Sequence, residues 1–341
     1  MKKLLTLLLL AAMLTAPLAG CGDTDDTPAQ TTEGKGNGTV NGTDDTIPEY
    51  NAADANPASD FEYEAGEDGG ITITKYVGTD TDVVIPEKID GKDVTVIGPG
   101  AFNRCAVLET VVMSDKVITI ANSAFSKCDR LTAVGLSNAL VSIGEVAFGH
   151  NENLSSITLP DTLTCIGTFA FTNCKSLKHI NIPAHSFDNV PKDGACNGAF
   201  RGSGLESVDL AEGIQFIPNA TFAETMLKEV VLPDSLQYID SSAFADCTSL
   251  EKITLNEGLT TISYKSFANT RLTEIVIPKS VKICLSSAFE GVTTLQKVYF
   301  EGNAPELFMA GEEGAPFTVY YHESATGFTS PEWNGHKTEI W

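Results

Sequence analysis

Nine phenylalanines, most of them following Ala or Ser, stand at Phe102, Phe125, Phe148, Phe171, Phe200, Phe222, Phe244, Phe267 and Phe289, at spacings of 23, 23, 23, 29, 22, 22, 23 and 22 residues. Five residues before them come Ile97, Ile120, Ile143, Ile166, Ile217, Ile239 and Ile262, with Ala195 and Cys284 as departures. Five or six residues after each begins a Leu-x-x-Ile/Val-x-apolar motif, written in residues 166–183 as Leu177, Ile180 and Ile182 closed by Pro183. The apolar-x-apolar step is a strand period of two rich in β-branched residues, and proline ends pairing because it has no N–H to give. A unit this short is apolar on one side only and cannot bury that side alone. Stacked copies solve the problem, and a fixed period of this length predicts a solenoid. We expect a β-rich, right-handed coil of about nine repeats of 22–23 residues, one parallel strand per coil, closed by a cap at each end.

The repeat, A-F-x-x-C-x-x-L-x-x-I-x-I-P-x-x-V-x-x-I-G in outline, resembles that of the BspA-like, treponemal-type leucine-rich-repeat surface proteins, over roughly residues 83–300. Its Cys precedes the strand, whereas in the commoner leucine-rich pattern Asn or Cys follows it. The resemblance implies attachment to host or neighbouring-cell surfaces and brings no catalytic residue with it.

Ahead of the repeats, residues 1–20 read as an export signal: Lys2 and Lys3, an apolar run over 4–14, then Leu18-Ala19-Gly20-Cys21. That run is too short to span a bilayer. Leu-Ala-Gly-Cys resembles the bacterial lipobox, which implies lipid attachment at Cys21; each buried CH₂ contributes ~0.8 kcal/mol, so two or three acyl chains anchor durably. Between residues 22 and 70 thirteen acidic residues face the single Lys35. Such a composition cannot bury enough surface to offset its ordering entropy, so residues 21–60 are expected to form a disordered acidic tether. We place an N-terminal cap at 61–97, with strands at Ile71-x-Ile73 and Val83-x-Ile85 and a hairpin turn at Asp90-Gly91. The solenoid follows at 98–300 and a C-terminal cap at 301–341, where Trp333 and Trp341 are expected to pack as a lid.

Three residues after the repeat phenylalanine stand Cys105, Cys128, Asn151, Cys174 and Cys247, with Ser203, Thr225 and Thr270 in the same place elsewhere. All can donate a hydrogen bond, Cys weakly, so they read as an internal ladder that satisfies turn carbonyls of neighbouring coils. A disulfide within it is confined to adjacent coils, Cys105 with Cys128; Cys165, Cys196 and Cys284 lie off the ladder. The six extra residues between Phe171 and Phe200 map to a surface loop, either a tolerated insertion or a recognition loop.

Beyond residue 70 the chain still carries 32 acidic against 19 basic residues. That balance argues against nucleic acid or an anionic lipid face as partner. No His-Glu-x-x-His, nucleophile elbow, phosphate loop or Cys-x-x-Cys pair occurs, so we expect neither enzyme activity nor a metal or cofactor, and only the lipid anchor touches the membrane. An extracellular protein or glycan partner is the expectation, with an envelope spacer lacking a dedicated ligand as the alternative. With Val230 and Leu232 inward, two rows should face solvent: Ser207, Glu229, Lys252, Glu274, Lys297, and Asp209, Val231, Thr254, Val276, Tyr299. The first alternates in charge and can pair along itself. The second holds apolar residues beside those charges, the anatomy of a recognition patch, so binding is assigned to Glu229, Val231, Lys252, Thr254, Glu274, Val276, Lys297 and Tyr299, with Tyr299 as anchor.

Overall fold

A computed structural model describes residues 47–66, 69–190, 197–285, 287–309 and 316–341. Residues 1–20, Cys21 and Cys196 lie outside the described residues, as does the expected tether up to residue 46. The chain is a β-solenoid of about eleven turns. The count exceeds nine because the caps coil too: Asp82–Val84 pairs with Thr110–Val112 at one end, while Thr318–Tyr321 and His336–Ile340 extend the ladder at the other.

Each regular coil carries two short parallel strands, where one was expected. The front ladder holds the Leu-x-x-Ile-x-Ile motif and includes His179–Ile182, Ser207–Leu210, Glu229–Val231, Lys252–Thr254, Glu274–Ile277 and Lys297–Phe300. A second ladder holds the isoleucines that precede each phenylalanine, in two-residue strands such as Thr119–Ile120, Ser142–Ile143 and Thr261–Ile262. Two residues are too few to show an alternation, which hides this ladder from periodicity.

Between the ladders the repeat phenylalanines form a continuous column. From Phe102 to Phe289 successive ring centroids lie 4.8–5.8 Å apart and within 20° of parallel. Every ring is at most 2% exposed. Burying each contributes about 1.5–3 kcal/mol before entropy is subtracted. Tyr76 continues the column at the N-terminal end, 5.2 Å from Phe102, and Phe61 covers it. At the far end Phe300, Phe308, Phe328 and Trp333 pack together, so Trp333 is part of a lid.

The insertion interrupts the second ladder. Phe187 and Val190 turn into the core at 3% and 7% exposure, and Ile166 N–H donates to Ser186 O at 3.0 Å where a strand partner would otherwise stand. Phe187 and Val190 of the insertion are therefore core, while His185, Asp188 and Asn189 stay exposed.

Residues 47–60 depart from the expected tether. They include two 3₁₀ turns, Ala52–Asp54 and Ala58–Asp60. Between them Asn56 is 7% exposed. Its N–H donates to Val84 O and its Oδ1 accepts from Val84 N–H, both at 2.9 Å, so one residue pairs with the open edge of the first front strand. An unpaired edge is a liability, and covering it offsets the ordering cost that composition alone suggested this segment would not meet. Farther along, Pro48 O lies over Gly135, 2.5 Å from where a Cβ would stand, so only glycine fits there.

The turn around each phenylalanine has a backbone signature. The residue two before it (Gly100, Ser123, Val146, Phe169, Gly198, Ala220, Ser242, Lys265, Ser287) and the residue two after it (Arg104, Lys127, His150, Asn173, Gly202, Glu224, Asp246, Asn269, Gly291) all have positive φ. Ten of the eighteen are Gly, Ser, Asn or Asp, but the other eight are not turn formers. The conformation is imposed by bonds between coils: Arg104 N–H donates to Ser126 O at 2.8 Å, His150 to Thr172 O at 2.7 Å and Asp246 to Ala268 O at 2.8 Å. Left-handed backbone costs an L-residue with a Cβ about 1–2 kcal/mol, and among the residues that bear it are the β-branched Val146, φ 53°, and the aromatic Phe169, φ 56°.

Candidate binding surface

Two sets of side chains project from this frame, one into the coil and one out of the front ladder. Inside, Cys128 Sγ donates to Phe102 O at 3.1 Å, Cys174 Sγ to Phe148 O at 3.3 Å and Cys247 Sγ to Phe222 O at 3.0 Å, each reaching one coil back. Asn151 Nδ2 makes the same bond to Phe125 O at 2.9 Å, while its Oδ1 accepts from Cys128 N–H at 2.8 Å. The shorter Thr225 and Thr270 hydroxyls instead donate within their own coil, to Phe222 O at 2.8 Å and Phe267 O at 2.9 Å. Cys105 is half-buried and, like Cys128, a free thiol. Burial pushes the Cys128, Cys174 and Cys247 thiols up to about 12. Such thiols are structural, because nucleophilic chemistry needs the thiolate. Cys284 occupies a second-ladder position in full burial, and Cys165 lies half-buried beside Asn189 O. Among the described residues no group of three His, Cys, Asp or Glu side chains could hold a metal ion.

Outside, strand register lines up the two rows. Glu229 pairs with Lys252 and Val231 with Thr254; Glu274 pairs with Lys297 and Val276 with Tyr299. The rows then continue into the C-terminal cap, through Thr318 to Lys337 and through Tyr320 to Glu339. Lys252 Nζ meets Glu229 Oε1 at 2.5 Å, but Lys297 turns toward the Tyr299 hydroxyl, whose hydrogen bond holds that ammonium above its usual value. Val231 and Val276 are 60% and 42% exposed.

Tyr299 was expected to stand exposed; it is half-buried. Its ring stacks on Tyr320 at 4.8 Å and meets Trp341 at 4.9 Å, and Trp341 lies 4.8 Å from His322. Trp341, expected to pack as lid, is 48% exposed and belongs to this outer cluster. The contacts of Tyr320 and Trp341 with Tyr299 escape sequence reading because both residues lie beyond the last repeat phenylalanine, where the coil period that sets neighbours is lost.

A family model for the BspA type leucine-rich repeat region matches this chain in six copies, over residues 81–194 and 196–296. The chain belongs to the BspA-type leucine-rich-repeat family. Among solved structures, a leucine-rich repeat protein from Bacteroides ovatus ATCC 8483 superposes with a TM-score of 0.64 at 23% identity, over 83% of this chain and 75% of that one. The T. pallidum leucine-rich repeat protein gives 0.48 at 25% identity, over 63% and 88%. A leucine-rich cell surface protein from Faecalibacterium prausnitzii A2-165 gives 0.34 at 20% identity, over 84% and 98%. No protein of curated function matches. Membership in the BspA-type family suggests a protein-binding role at a bacterial surface, and such solenoids are typically non-enzymatic.

Proposed function

We propose that this BspA-type solenoid is a lipid-anchored surface protein that holds an extracellular protein partner on the outward rows of its later coils and C-terminal cap. The observation that carries this reading is the apolar and aromatic run from Val231 and Val276 to Tyr299, Tyr320 and Trp341, exposed or half-exposed beside the Glu229–Lys252 pair. An aromatic centre with a charged rim is the composition of recognition patches, in which Tyr and Trp dominate the binding energy. Tyr299 and Trp341 act as anchors, and Thr254, Glu274 and Lys297 supply the polar surround. Anchoring through Cys21 holds the solenoid at the envelope, in keeping with the lipobox-like Leu18-Ala19-Gly20-Cys21.

The test replaces Val231 and Val276 together by Lys in the full chain, because both side chains face solvent and their loss leaves the core intact. Saturable binding to immobilised extracellular-matrix proteins or cultured epithelial cells should disappear, with melting nearly unchanged. Undiminished binding by the folded variant rejects the placement; no saturable binding by the parent chain favours the spacer instead. Separately, Cys21→Ser should release the protein from the membrane fraction, and retention without lipid rejects the anchor.

A further inference from the structure

On the turn side of the coils, away from the front ladder, lies a pocket of about 330 Å³ lined by Val146, His150, Phe169, Asn173, Arg201 and Glu224. It brings together features found at no other described turn. Val146 and Phe169 occupy the left-handed position two before the ring phenylalanine, which the other coils give to Gly, Ser, Ala or Lys. Bulky and β-branched residues are outliers there, and backbone strain of this kind clusters at ligand sites. Neither residue repays the strain as core, since both remain half-exposed on the pocket wall. The next coil makes room for the Phe169 ring with Gly198, where a Cβ would stand 2.5 Å from the ring's Cε1.

Around that ring the polar groups are already held in place. Arg201 Nε and Nη2 both donate to Glu224 Oε1, at 3.0 and 2.6 Å. Asn173 Nδ2 lies 3.5 Å from His150 Nδ1. Thr172 Oγ1 donates to Arg201 O at 2.9 Å. A pocket with an apolar wall and a few convergent, pre-positioned polar groups is the ordinary form of a small-ligand site. Its charges are balanced. Arg201 is paired with Glu224, and the adjoining hollow that shares His150 adds Lys127 against Asp129 and Glu152. There is no surplus of positive charge to draw an anion.

We infer that this pocket binds one ring of a neutral, hexose-containing glycan. A pyranose has an apolar C–H face that lies on Phe169 and Val146. Its hydroxyls each donate and accept, which suits the neighbouring amide, imidazole, guanidinium and carboxylate. This site is separate from the protein-binding rows and does not depend on them.

The experiment applies the full chain to a printed panel of glucosyl-, galactosyl- and mannosyl-oligosaccharides with their sialylated and sulfated counterparts. The parent chain should bind at least one neutral glycan, and Phe169→Ser should weaken that binding at least tenfold. Its fold is safeguarded because Ser123, Ser242 and Ser287 already adopt the same left-handed backbone. Asn173→Gly, matching Gly202 and Gly291 at the same place in other coils, should weaken binding without loss of melting temperature. The Val231→Lys, Val276→Lys chain should bind glycan as the parent does, which separates this site from the front ladder. Absence of glycan binding, preference for the sialylated or sulfated forms, or parental binding by Phe169→Ser overturns the inference.

Discussion

The thiol of Cys174 sits 3.3 Å from the carbonyl oxygen of Phe148, one coil back, in the place where Asn151 Nδ2 reaches Phe125 O at 2.9 Å. A weak sulfur donor and an amide thus perform one task in neighbouring coils. Cys174→Asn should therefore be tolerated within about 1 kcal/mol, whereas Cys174→Ala strands a buried carbonyl and should cost about 1–3 kcal/mol. Urea midpoints of the two variants decide it; equal losses contradict a hydrogen-bonding role.

Thiol reactivity should divide the same residues. Cys105 and Cys165 are half-buried, while Cys128, Cys174, Cys247 and Cys284 are closed off, with burial pushing all four thiols up. At mildly alkaline pH, alkylation read by peptide mass spectrometry should label Cys105 and Cys165 in the native chain and the buried four only after unfolding. Native labelling of Cys174 counts against the closed core.

Phe244 is fully buried, with its ring 5.5 Å from Phe222 and 5.8 Å from Phe267. Phe244→Ala empties one place in the column and should cost about 3–5 kcal/mol. Because a solenoid couples nearest neighbours, amide exchange should quicken first in the coils on either side. A loss below about 1 kcal/mol is incompatible with a close-packed column.

Burial holds the Asp240 carboxyl above its ordinary value of 3.8. A raised folded-state value means that folding favours the protonated form. The contribution is complete below the unfolded value and is lost as pH climbs through the folded one. Asp240→Asn keeps the oxygen that accepts from Ser241 N–H at 2.6 Å. The variant should melt higher than the parent at neutral pH, and the gap should close toward about pH 3.5. Identical melting at neutral pH contradicts the assignment.

Much of this architecture is legible in the chain. The ring column, the isoleucine column and the inward residues of the front ladder follow from a period that packing enforces on large apolar side chains. What escapes notice is held by backbone. Thr119–Ile120 and its equivalents are too short to alternate, and the left-handed turns admit Arg104, Lys127 and Glu224 because bonds between coils dictate their φ. Residues 47–60 read as tether because composition counts buried apolar area, and Asn56 contributes none. The facing of Val231, Val276 and Tyr299 follows from a period of two; the company that Tyr299 keeps with Tyr320 and Trp341 comes from segments that the period does not reach.

From Arg104 to Asn269 the left-handed row two after each ring is joined to the next coil by a main-chain N–H to C=O bond, whatever side chain it bears. Arg, Lys, His, Asn, Gly, Glu and Asp all occupy it within this one chain. Such a row can change one substitution at a time while the coil beneath stays the same. Two descendants of a common solenoid could then share every buried ring and yet present unrelated faces to their surroundings.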